Sequence, residues 1–253
     1  MKESFGKNQR LMQVGEVGSS SHLFRDFEMG VKPSTSIRQI YRTLTRAYGP
    51  LHWWPAKTRF EVIVGAFLTQ NTSWKNVELA LGNLRRSGML SIKGVREAPI
   101  EDLQTMIRPS GYFRQKSARL KAFVQYLDQC HHGSLSRMFS QPIAILRQEL
   151  LQLKGVGPET ADAILLYAGK LPVFVVDAYT KRVLERHGIS PAGAKYEAVR
   201  EQVEAAFAGE GSPRQLAEHY NEFHAVLVEV GKRHCGATAR CEGCPLQHLL
   251  QYR

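Results

Sequence analysis

The chain has 253 residues, 43% of them hydrophobic and 23% charged, enough to bury one large core or two modest ones. Its formal net charge of +11 favours an anionic partner and does not come from the N-terminal stretch: residues 1–37 hold five basic and four acidic residues, which leaves +10 for the rest. No apolar run approaches the ~20 residues that a membrane helix needs, and no signal-peptide core follows Met1, so membrane and secreted classes are excluded and a soluble, intracellular protein is expected.

Residues 1–34 read as a disordered tail, because Gly15–Ser21 is rich in Gly and Ser and hydrophobic periodicity is absent. Ile37, Ile40, Tyr41 and Leu44 predict a helix over Ser36–Tyr48, stopped by Gly49-Pro50. A loop follows that carries Trp53-Trp54-Pro55. Helices are then expected near 60–68, 73–86, 100–106, 113–130, 142–153 and 158–169, separated by Gly, Pro or Ser. Beyond Asp177 come helices near 178–187, 195–208 and 213–232. Only Val173–Val176 has strand character, and it is too short to found a sheet. The fold class is therefore all-α with short connections.

The segment Leu150–Arg182, LLQLKGVGPETADAILLYAGKLPVFVVDAYTKR, carries the chemistry. Gly155-Val156-Gly157 makes a tight turn between two helices, and Pro158 suits the first helical position because its missing N–H would be unpaired there anyway. The turn's amides, opening onto a helix N-terminus beside Thr160, form a site suited to phosphate. A short apolar link then delivers one acid, Asp177, which could cap the next helix, act in catalysis, or do both.

LKGVGPETADAIL followed by VVDAYTKRV resembles the helix–hairpin–helix and catalytic aspartate of the endonuclease III superfamily of DNA glycosylases. The resemblance covers about residues 36–250. It implies two helical domains of the HhH-GPD type, one formed by residues 59–170 and the other by residues 35–58 with 171–253, with the active site in the cleft between them. It also implies double-stranded DNA with a damaged base as partner, a monomer, and a place in the cytoplasm at the nucleoid.

In that family the strand-cleaving enzymes carry a nucleophilic lysine where this chain has Glu159. Glutamate cannot form the Schiff base of that reaction, so a monofunctional glycosylase that uses water is expected. Trp53-Trp54-Pro55, the run Phe67–Trp74 and Arg108–Tyr112 are similar to the 3-methyladenine branch, whose aromatics at positions matching Trp53, Trp54 and Trp74 line the base pocket. An N-alkylated purine is cationic, and indoles attract it by stacking and cation–π contact. By the same resemblance Gln70 fills the gap left by the flipped base, or it is an ordinary helix cap, and Lys232 lies in the pocket, or it contacts phosphate or solvent; Glu159 is either a pocket residue or a first-turn surface acid. Lys116, Arg119, Lys181 and Arg182 are candidate phosphate contacts. The alternatives are an endonuclease III-like glycosylase and AP lyase on oxidised pyrimidines, or a non-catalytic helix–hairpin–helix DNA-binding protein.

Cys235, Cys241 and Cys244 are similar to part of the family's 4Fe–4S loop, with Leu250 where a fourth cysteine would stand. A cluster with a fourth ligand from His248, His234, Cys130 or solution, a Cys3His zinc site, and a remnant without metal are all open.

Overall fold

The computed structural model describes residues 33–51 and 56–250, with side chains from residue 37 onward. The described residues are helical apart from connections and one isolated bridge, Cys235 with Ala239, so the all-α expectation holds. The helices are α1 (Pro33–Tyr48), α2 (Arg59–Leu68), α3 (Trp74–Arg86), α4 (Ile92–Glu97), α5 (Ile100–Ile107), α6 (Phe113–His131), α7 (Leu135–Phe139), α8 (Ile143–Gln152), α9 (Pro158–Ala163), α10 (Ala178–Arg186), α11 (Tyr196–Ala206) and α12 (Pro213–Arg233). None is long and apolar enough to cross a membrane. The short helices α4 and α7 were not expected; their few apolar residues give no readable periodicity. The expected tail reaches as far as Ser34, whereas α1 begins at Pro33; residues 1–32 lie outside the described residues.

Helix α2 is central, because Phe60–Leu68 is buried throughout and apolar except for Glu61, which pairs with Arg85. Its start is set by Thr58, whose hydroxyl accepts the Glu61 amide at 3.1 Å. It packs on α3, α6, α9 and the turn after α9. Helix α12 packs on α1, α10 and the same turn. Here Tyr41, Phe174, Phe207, Tyr220 and Phe223 form a connected aromatic cluster with centroids 5.4–5.9 Å apart, mostly edge to face.

Helix α9 widens into a π-type turn over Ile164–Ala168, and all five residues there are buried. Val173–Val176 follows as an extended but unpaired segment, fully buried. Its amides find local partners instead of a neighbouring strand: Val173 N–H donates to Leu171 O at 2.9 Å, Phe174 N–H to Glu204 Oε1 at 2.9 Å, and Val176 N–H to Tyr196 Oη at 3.3 Å. That is why a strand-like sequence makes no strand.

Candidate active site

Asp177 stands at the end of this extended segment and caps α10, with Oδ1 accepting the Thr180 N–H at 2.7 Å. The segment is anchored through Tyr196, which accepts from Val176 and donates to Asp162 Oδ2 at 2.9 Å. Asp162, on α9, has no exposed surface and receives a two-pronged bond from Arg147, at 2.7 and 3.0 Å. Burial raises its carboxyl above the ordinary range, while Arg147 and Tyr196 pull it back. The hairpin's second helix and the backbone that delivers Asp177 thus share one charged anchor.

The other carboxylate oxygen, Asp177 Oδ2, lies 3.7 Å from His224 Nε2. His224 Nδ1 is in turn 2.7 Å from Tyr167 Oη, in the π-type turn. His224 is buried, and burial holds its pKa below the usual value against the opposing pull of Asp177.

At the hairpin, Gly155 has φ +82°, and a Cβ there would overlap the guanidinium of Arg119. Glycine is needed on both counts. Gly157 differs: its φ is −95° and a Cβ would meet open space, so only the first glycine is demanded by the chain itself. The Val156 amide is taken by Leu153 O at 3.0 Å, and its side chain is buried. Gln70 joins the same cluster. Its Nε2 donates to Gly155 O at 3.1 Å and to the buried Thr160 Oγ1 at 2.9 Å, while Arg119 donates to its Oε1.

A cavity of about 880 Å³ lies between these elements. Of the sequence-predicted residues, Gln70, Trp74, Arg119, Gly155, Glu159, Thr160, Asp177 and Lys232 line it, whereas Val156 and Gly157 do not. Trp53 and Trp54 lie outside the described residues. Tyr167, Tyr179 and His224 also line the cavity and were missed. His224, Val228 and Lys232 recur every four residues on α12, a spacing that could have found the histidine from the lysine. Tyr179 packs so closely on Gly231 that any Cβ there would collide with its ring, and Arg182 stacks on it at 4.9 Å. Glu159 is exposed to the cavity yet surrounded by its walls. That enclosure, and then the charge of Asp177, raise its carboxyl to about 7 against the pull of Lys181.

Lys116 corrects an expectation. It is buried, its Nζ donating to Leu68 O at 2.9 Å and Ser110 O at 2.7 Å, so it closes the end of α2 rather than meeting a phosphate. Burial and then Arg119 push its ammonium down to about 8.

The C-terminal cysteines gather around a second cavity of about 20 Å³, room for one water-sized sphere. Cys235, Cys241, Cys244, His234 and Leu250 all line it. Burial pushes the Cys244 thiol up, and the nearby Cys241 and Cys235 add to the shift. Arg186 donates to Cys235 Sγ at 3.1 Å, to Gly236 O at 2.9 Å and to Ala237 O at 2.8 Å. Among the described residues no group of three or more His, Cys, Asp or Glu side chains could hold a metal ion as it stands. Three thiols and the His234 imidazole line this site, while Leu250, where the family's fourth cysteine would stand, offers no ligand. Cys130 is exposed, far along the chain at the end of α6, and does not line this cavity.

Residues 64–208 match the model of the HhH-GPD superfamily of base excision DNA repair proteins. A provisionally named DNA repair glycosylase of Methanocaldococcus jannaschii is 43% identical over 215 residues, which covers 84% of this chain and 94% of that protein. Endonuclease III of Thermotoga maritima is 28% identical over 195 residues, 76% of this chain and 83% of that one. Among solved structures, the H. pylori 3-methyladenine DNA glycosylase bound to 1,N6-ethenoadenine superimposes with a TM-score of 0.69 at 28% identity, covering 80% of this chain and 98% of that one. A non-covalent endonuclease III–DNA complex gives 0.70 at 22% identity over 86% and 95% of the two chains, a likeness of fold.

Proposed function

The chain belongs to the HhH-GPD superfamily of base excision DNA repair proteins, and from that membership we propose that it is a monofunctional DNA glycosylase that releases damaged bases, alkylated purines such as 3-methyladenine among them. The observation that carries this reading is the cavity in which Asp177, Glu159 and Trp74 meet the hairpin. Its size is ample for a flipped purine, since small-ligand pockets run to about 300–1,000 Å³. Breaking the N-glycosidic bond builds positive charge on the deoxyribose. The Asp177 carboxylate, with Oδ1 fixed by the Thr180 amide, stabilises that charge and takes the proton of the attacking water. Trp74 and Tyr179 offer aromatic walls to the base, with Trp53 and Trp54 assigned to the same pocket by family resemblance. The hairpin, Gly155 to Thr160, grips a DNA phosphate, and Gln70 exchanges its bonds to Gly155 and Thr160 for the gap in the duplex. The division into residues 59–170 and the two flanking segments is part of the same proposal.

One observation favours a second reading. Lys232 lines the cavity with Asp177, so an amine is at hand for a lyase step although Glu159 is not one.

The test is to incubate the protein with duplexes carrying 3-methyladenine, thymine glycol or an abasic site. Free 3-methyladenine without strand scission is expected, with Asp177→Asn slowing release by about 10²–10⁴-fold while DNA binding is kept. A borohydride-trapped adduct that disappears in Lys232→Ala would replace the monofunctional reading by the second one. A cluster or zinc ion at Cys235, Cys241 and Cys244 is an implication of the resemblance alone, and iron, zinc and sulfide analysis of fresh protein tests it.

A further inference from the structure

We propose that Glu159 is the general acid of this site, delivering a proton to the departing base, and that the substrates therefore include damaged bases that are uncharged in DNA. The proposal rests on the glycosylase reading above and adds to it a second working carboxyl.

The geometry starts with two carboxyls on one cavity. Glu159 comes from the first turn of α9 and Asp177 from the cap of α10, and both line the space where a base would lie. Their surroundings differ. Asp177 is half-buried and held, with Oδ1 on the Thr180 amide and Oδ2 toward His224. Glu159 has no hydrogen-bonding partner among the described residues and projects into the cavity, free to meet a ligand. Two acids whose environments separate them in this way divide acid and base roles.

The groups around Glu159 support the division. Enclosure by the cavity walls and then Asp177 favour its neutral form, and Lys181 opposes them. Tyr196 on α11 feels its charge, and Arg119, His224 and Lys232 line the same cavity. The balance leaves the carboxyl near 7, so a protonated acid is at hand around neutral pH. A bound base would displace the cavity's water and strengthen the preference for the neutral acid.

The step balances as a hydrolysis. The Glu159 O–H proton passes to a ring nitrogen of the base as the C1′–N bond breaks and its electron pair leaves with the base. Water adds to C1′ and gives its proton to Asp177, which passes it to solvent, and Glu159 is reprotonated from solvent. A base that already carries positive charge leaves without this proton. A neutral one needs it.

The experiment follows from that contrast. Single-turnover release from duplexes bearing 7-methylguanine, which is cationic, or 1,N6-ethenoadenine, which is neutral, is measured with full-length wild type and Glu159→Gln, both checked for folding by thermal melting. Expected is a loss of about 10²-fold or more on the neutral base, at least about tenfold greater than any loss on the cationic base. The wild-type rate on the neutral base should fall as pH rises through about 7, and the variant should lose that limb. Equal slowing of both bases, or of neither, overturns the proposal. Release of the cationic base alone by wild type also overturns it, while sparing the glycosylase reading. Release of neither base by wild type sinks both.

Discussion

The two ends of α10 are held in opposite ways. At its N-terminus the chain meets a buried, charged anchor: Arg147 and Tyr196 on Asp162, with Tyr196 also receiving the amide next to Asp177. At its C-terminal half, Arg182 and Arg186 reach neutral acceptors, the carbonyls of Cys235, Gly236 and Ala237 and the Cys235 thiol, in a loop partly open to solvent. The first arrangement holds the backbone that delivers Asp177 through a buried charge and fails badly if broken. The second secures a loop and tolerates loss. Buried ion pairs add little net stability but cost much when one partner is removed, and that asymmetry distinguishes the two ends.

The sharpest way to break the comparison is Arg147→Met. It leaves the Asp162 carboxyl buried against Tyr196 alone, and a loss of about 3–5 kcal/mol in denaturant unfolding is expected. A loss below about 1 kcal/mol would show that the two ends are held alike. Tyr196→Phe is next. It strips one bond from Asp162 and leaves the Val176 amide unpaired, for about 1–3 kcal/mol. Because Val176 precedes Asp177, single-turnover base release should slow while DNA affinity holds. Unchanged release would mean that the Asp177 backbone needs no such support.

Arg186→Ala probes the other end. Its neutral acceptors can turn to water, so about 1 kcal/mol is expected. Hydrogen exchange should quicken across residues 235–240 while base release stays as in wild type. A fall in base release would tie the cysteine loop to the site after all.

How much of this was legible in the sequence varies with the physics behind each feature. The hairpin and Asp177 were readable because a glycine pair, a first-turn proline and a capping acid each leave a local mark. The helices were readable where apolar residues repeat over several turns; α4 and α7 are too short for that. The anchor on Asp162 was not, since its partners come from residues 147 and 196 and nothing local says that an aspartate in a helix is fully buried. Lys116 misled for the same reason: a lysine on a helix looks solvated until the carbonyls of Leu68 and Ser110 converge on it. His224 sits in a run of buried apolar residues on α12 and resembles core until its distance to Asp177 is known.

The smallest expected effect concerns Glu159 and stability rather than rate. Its folded carboxyl is raised from 4.5 to about 7. Between those values the folded state binds more protons than the unfolded one, so stability falls as pH rises through this window. The group's contribution is complete below about 4.5 and gone above about 7. Glu159→Gln cannot titrate, so its stability should lack that decline, and the two proteins' unfolding midpoints should draw apart as pH rises from 5 to 8. The separation should be small, because Glu159 is surface-exposed and solvent weakens the effect of its enclosure and screens the Asp177 charge. Parallel curves would place the carboxyl in an ordinary aqueous setting, and the contrast with the firmly held Asp177 would then reduce to geometry alone.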